Sequence, residues 1–188
     1  MERKKNEKIM IIGAGGIGSF LIPLLDKTGL YQIHIYDPDI VETKNLTYQN
    51  FSKEEVGELK VNAMAKKYTV KANKYPVLTE EQMLGYDLVV CCVDNLDCRR
   101  TLYRTKIEWL DLRAQGRNAA LVSFLADPEQ YDTLLAGPEG SFSCQGDSWD
   151  GSTKNVHFMQ VAIAGIGAQW IQRWFNKEDV SSFKVVNA

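Results

Sequence analysis

Short apolar runs along the chain alternate with stretches whose apolar positions recur every three or four residues. "KIMII" is an apolar run that breaks into glycines at Gly13, and it predicts a buried strand. "IGSFLIPLLDKTG" predicts a helix that Gly29 stops and Pro23 bends. "YQIHIYD" predicts a second strand. From Glu58 to Ala72, the residues Val61, Met64, Ala65, Tyr68 and Ala72 fall on one helical face. "PVLT" reads as a short strand, and "TEEQML" as a capped helical turn closed by Gly85. "YDLVVCCVD" is apolar nearly throughout, as a central parallel strand is when helices cover both of its faces. Asn95 then caps a helix to about Lys106, and "EWLDLR" predicts another strand.

This alternation predicts an α/β fold, a Rossmann-like, doubly wound and mostly parallel sheet with helices on both faces. Beyond Arg113, "NAALVSFLAD" reads as a longer strand. "VHFMQVAIAGIGAQWIQRWF" reads as a helix apolar nearly all round, and "SFKVVNA" as a closing strand. Burial of that helix by a second subunit would account for its composition, and Trp170, Trp174 and Phe175 belong to the core or to such a face. Residues 1–188 form one domain in this reading, with one long loop over 127–155 rich in Gly, Pro, Ser and Asp.

Gly13, Gly15 and Gly18 satisfy G-x-G-x-x-G between a strand and a helix, and Gly16 adds a fourth glycine. Phosphate can approach backbone N–H groups there, and the helix N-terminus favours its charge. Asp37 ends the second predicted strand, where a carboxylate accepts hydrogen bonds from ribose hydroxyls. Lys60 opens a helix, a position unfavourable for a cation unless an anion lies nearby. Asp94 sits at the tip of the central strand, where open α/β sheets bind ligands. Lys60 as a solvated surface lysine and Asp94 as a helix cap are the plain alternatives.

"GAGGIGS", the D-x-D of Asp37 and Asp39 with Asn45-Leu46 after it, "VGELK" and "CCVDN" occur in the order of the ThiF/MoeB/HesA family. From about Lys8 to the last strand the chain resembles these adenylyltransferases, which are related to ubiquitin-activating enzymes. The resemblance implies ATP and Mg²⁺ as cofactors. It implies a ubiquitin-like protein or peptide whose C-terminal carboxylate becomes an acyl-adenylate, and a homodimer. It places the nucleotide on Gly13, Gly15, Gly16, Gly18, Asp37, Asp39 and Asn45, phosphate charge on Lys60, the metal on Asp94, and Arg99 near the phosphates.

The pattern departs from the family at Tyr48, which stands where N-L-x-R-Q has an arginine; a phenol cannot make a guanidinium's forked contact. Arg99, Arg113, Arg117 or an arginine from a partner subunit could restore the charge, Arg3 being this chain's candidate for that arm. Loss of the arginine also fits a nucleotide-binding but inactive partner subunit. An NAD-dependent oxidoreductase would explain the glycine turn and Asp37 alone. Cys144 is the single cysteine of the long loop and a possible acyl-accepting nucleophile; a structural thiol is the plainer role.

Composition narrows the rest. The net charge of −2 is spread along the chain and gives no footing for nucleic acid, and no apolar run approaches the ~20 residues of a membrane span. No C-x-x-C occurs, so no structural zinc site is expected, and the cytoplasm is the expected compartment.

Overall fold

The computed structural model describes residues 7–130, 144–146 and 149–188. Its strands are β1 (Glu7–Ile12), β2 (Tyr31–Tyr36), β3 (Val70–Asn73), β4 (Leu88–Cys91), β5 (Trp109–Gln115), β6 (Asn118–Ser123) and β7 (Phe183–Asn187). The helices are α1 (Gly18–Thr28), α2 (Lys60–Lys67), α3 (Leu96–Arg104) and α4 (Met159–Phe175). The strands form one sheet in the order β3-β2-β1-β4-β5-β6-β7. It is parallel from β3 to β5, while β6 and β7 join antiparallel. The α/β architecture thus follows the expectation.

Strand alternation divides the core. Ile9, Ile11, Ile33, Ile35, Leu110 and Leu112 face α1, α2 and α4, where Leu21, Ile22, Met64, Ile163 and Ile171 meet them. Met10, Ile12, Val89 and Trp109 face the other way, toward Leu102 of α3 and Met83. Each such aliphatic side chain contributes roughly 1.5–3 kcal/mol on burial. Trp170 is buried on the first face and Trp174 packs beside it, so these aromatics belong to the core. The outer positions Val161, Ala162 and Gly165 of α4 remain exposed.

One segment folds differently from its pattern. The helix expected to Ala72 ends at Lys67, and the next strand is Val70–Asn73 rather than "PVLT". Asp26 at the end of α1 accepts a hydrogen bond from the Thr69 N–H at 3.0 Å, which turns the chain, and the open edge of β2 then pairs with β3. Tertiary pairing overrides a helical spacing that Tyr68 and Ala72 meet by coincidence. "PVLT" becomes an approach to the 3-10 turn Glu80–Met83, capped by Thr79 and Gln82.

Pro23 lies inside α1 and cannot donate to the carbonyl of Ser19 one turn earlier. The Asn50 side chain donates to that carbonyl at 3.2 Å, and the Ser19 hydroxyl accepts from the Asn50 N–H at 3.0 Å. The loop after β2 is tied to α1 in this way.

Candidate active site

The glycine turn crosses from β1 to α1 at the carboxyl edge of the sheet. Gly13 has φ of +96°, open to glycine at little cost, and a Cβ on Gly18 would collide with the Gly13 carbonyl. The N-cap of α1, Ile17, gives no side-chain cap, and no acid stands in the first turn. The Ser19 and Phe20 N–H groups bond the Gly15 and Ile17 carbonyls, so the N–H groups of the turn ahead of them and the positive end of the dipole are what suit an anion. The side-chain space of the two middle glycines is taken up by protein: the Gln49 amide lies over Gly15, and Cys144 Sγ lies against Gly16.

Asp37 stands just beyond β2 and is buried. One carboxylate oxygen accepts from the Ala14 N–H at 2.7 Å and the other from the Asp39 N–H at 2.8 Å. Each oxygen keeps a second lone pair. Burial raises its pKa above the usual carboxylate range, with Lys60 and the two N–H groups offsetting part of the rise.

Residues 40–44 return along residues 56–60. Val41 donates to the Glu58 carbonyl and accepts from the Gly57 N–H beside the Ile40–Leu59 bridge, and the Lys60 N–H reaches the Asp39 carbonyl. That pairing places Lys60 at the start of α2 with its side chain only 8 % exposed, its Nζ 3.0 Å from an oxygen of Asp39. Asp39 is 65 % exposed, so this partner can yield to a stronger anion. Asn45 is buried and accepts from the Glu42 N–H, which closes a 3-10 turn.

Tyr48 follows that turn. Its hydroxyl accepts from Asn45 Nδ2 at 3.4 Å, and its ring meets Trp149 edge-on with centroids 5.4 Å apart. Asp94 is exposed on the loop after β4, whose Cys92 and Val93 pack on Gly13. Burial pushes the Cys144 thiol up to about 11, and the charge of Asp94 adds to that rise. Asp94 therefore lies within electrostatic reach of the side chain that touches Gly16. A thiol so placed is protonated at neutral pH, which weighs against a nucleophilic role for Cys144.

Arg99 is committed to a buried carboxylate, with its charge still reaching Cys92 beside Gly13. It is buried, and its Nε lies 3.0 and 3.1 Å from the two oxygens of Asp111, which is fully buried on β5. Arg113 Nε and the Tyr103 hydroxyl bond the same carboxylate. Burial alone would raise the Asp111 pKa, but Arg99 and Arg113 outweigh it and hold the carboxyl below its usual range. Arg3 lies outside the described residues, as does most of the expected loop over 127–155.

The structure thus gathers the glycine turn, Asp37, Asp39, Asn45, Lys60, Asp94 and Cys144 at one edge. Sequence spacing did not single out Gln49, Asp111, Trp149 or Gln160. A carboxylate in the apolar "WLDL" run and an amide on the buried face of an apolar helix were the available signals for Asp111 and Gln160.

The sequence profile of the ThiF family matches residues 1–170. The chain belongs to the ThiF family. It is 38 % identical over 103 residues to the adenylyltransferase and sulfurtransferase UBA4 of Candida albicans, covering 48 % of this chain and 23 % of that protein. With the ubiquitin-like modifier-activating enzyme 5 of Aedes aegypti it shares 27 % over 123 residues, 54 % of this chain and 31 % of the relative. This ThiF chain thus spans about a quarter to a third of those relatives. Among solved structures, E. coli MccB with ATP superposes at a TM-score of 0.72 and 16 % identity, over 98 % of this chain and 61 % of the other. MccB in complex with N-formylated MccA gives 0.74 at 17 %, over 98 % and 62 %. These likenesses carry the fold. None of the described helices is long and apolar enough to cross a membrane.

Proposed function

We propose that this ThiF-family chain is an ATP-dependent adenylyltransferase that activates the C-terminal carboxylate of a small ubiquitin-like protein or peptide. The observation that carries the reading is the convergence of an uncapped helix N-terminus, a nearly buried lysine and a buried ribose-height carboxylate at one sheet edge. Such a site suits a nucleotide phosphate chain.

In this reading Asp37 accepts from the ribose, and the N–H groups of the glycine turn just ahead of α1, with that of Gly18, take phosphate oxygens, those of Ser19 and Phe20 being bonded to the Gly15 and Ile17 carbonyls. Lys60 exchanges its bond to Asp39 for the phosphates and compensates charge as the leaving group departs. A carboxylate oxygen of the acceptor attacks the α-phosphorus. A new O–P bond forms, the bond to the bridging oxygen breaks, and pyrophosphate leaves with that electron pair. Among the described residues no cluster of three or more His, Cys, Asp or Glu could hold a metal ion. Mg²⁺ fits the exposed Asp94 carboxylate together with phosphate oxygens, as Mg²⁺ often binds through one or two carboxylates and substrate phosphates. When bound there it would neutralise phosphate charge. Arg99, held through its Nε on Asp111, steadies α3 and, in this reading, lends its charge to the phosphates. A homodimer that covers α4 is part of the proposal.

The test is pyrophosphate release from ATP and Mg²⁺ with a candidate acceptor, and its loss in Asp94→Ala. Tyr48, packed on Trp149 instead of presenting a guanidinium, favours a second reading: a nucleotide-binding subunit without catalysis. That protein would bind ATP and release no pyrophosphate with any acceptor.

A further inference from the structure

Among the described residues three buried side-chain polar atoms have no hydrogen-bond partner: His34 Nε2, Gln49 Oε1 and Gln160 Oε1. The two glutamines come from different elements and meet at the glycine turn. The Gln49 amide nitrogen is 3.7 Å from where a Cβ of Gly15 would stand, and the Gln160 Cβ is 3.9 Å from the corresponding point on Gly16. The orientation of Gln160 is fixed, because its Nε2 donates to the Tyr48 carbonyl at 3.3 Å. Reversing the amide would set two carbonyl oxygens against each other. Gln160 is fully buried and Gln49 nearly so, and an unpaired acceptor in such a place costs free energy that water no longer offsets.

What fills the fixed Gln160 acceptor must donate, and Gln49, whose amide no bond orients, can turn its oxygen to the same kind of donor. Phosphate and carboxylate oxygens at neutral pH only accept, so neither the triphosphate nor the reacting carboxylate satisfies them. Lys60 is bonded to Asp39. A peptide tail, by contrast, carries a main-chain N–H on the carbon next to its terminal carboxylate and another one residue back. A simple organic acid carries neither.

We propose that the side-chain oxygens of Gln49 and Gln160 accept the last main-chain N–H groups of the tail being activated, and so select a peptide end over a free small acid. The assignment rests on the adenylyltransferase reading above. Cys144, half-buried against Gly16, is the side chain that the tail moves aside. Ribose hydroxyls also donate, so the nucleotide is a second source of the same chemistry, and the experiment separates the two.

The side-chain amide resonances of Gln49 and Gln160 are followed by NMR in the intact chain. A non-hydrolysable ATP analogue with Mg²⁺ is added first. N-acetylglycylglycine follows, or its analogue with an ester oxygen in place of the last N–H. Failure of the nucleotide to bind overturns the adenylyltransferase reading itself. With nucleotide bound, the amide probe shifts both glutamines and binds roughly tenfold more tightly than the ester. Gln49→Met and Gln160→Met bring the two affinities together. Equal affinities in the unaltered protein, no binding of the amide probe, or glutamine resonances that answer to nucleotide alone overturn the proposal without touching the nucleotide reading.

Discussion

Lys60 and Arg99 are both cations with almost no exposure, and both are paired with an aspartate, yet their surroundings differ in kind. The Asp39 carboxylate lies largely in water and makes a single contact with the Lys60 ammonium. Asp111 has no exposure and is held by Arg99, Arg113 and Tyr103 together. The first pair can be dissolved by a competing anion at the cost of one partly solvated bond. The second cannot be opened without stranding charge in the core. A buried cation is therefore no sign of a working site by itself; the exposure of its partner decides.

The sharpest break in that comparison is Asp111→Ala. It leaves Arg99 buried without its carboxylate and should cost about 3–5 kcal/mol. For a chain of this size thermal unfolding should fall by roughly 10 °C. Lys60→Met should behave oppositely. Asp39 would rehydrate, stability should change by less than about 1 kcal/mol, and triphosphate affinity measured by calorimetry should fall at least tenfold. Equal stability losses in the two variants would erase the distinction.

Acid separates the two aspartates next. Asp111, held low, contributes stability that is present above the carboxylate range of the unfolded chain and is lost as pH falls through its own lower value. Asp37, held high by burial, has the opposite sign. Its ionised form costs stability at neutral pH, and that cost disappears as pH falls through its raised value. Nucleotide binding should therefore weaken at a higher pH than the fold does when both are titrated in parallel. A binding curve that tracks unfolding would rule out Asp37 as the ribose acceptor.

The smallest expected effects lie at the rim. Tyr48→Arg should strengthen triphosphate binding several-fold by restoring a fork-shaped cation at the end of the 3-10 turn. Cys144→Ala should change pyrophosphate release less than about twofold, and Cys144 should resist alkylation at neutral pH, because its thiol titrates near 11.

Much of the site was legible in the sequence because its parts sit at fixed local offsets. Four glycines lie within six residues, an acid ends the following strand, and an asparagine and a lysine follow in order. The order of apolar runs likewise gave the parallel half of the sheet. What escaped depends on contacts between distant residues. Gln160 acquires its place by reaching Tyr48, 112 positions earlier. Asp111 acquires its meaning from Arg99 on a neighbouring helix, and nothing in "DNLDCR" shows which way that guanidinium turns. The helix drawn through Ala72 failed because apolar spacing over a few residues suits an edge strand equally well.

The proline in α1 has a mechanical consequence. A helix that leaves one rung open and lends it to Asn50 makes the stretch carrying Asn45, Tyr48 and Gln49 a passenger of the same rod that follows the glycine turn. Any rearrangement of that stretch on loading must tug on the first turn of the rod at Ser19, so the amide hydrogen of Leu24, just past the proline, should report occupancy from one turn beyond that tie.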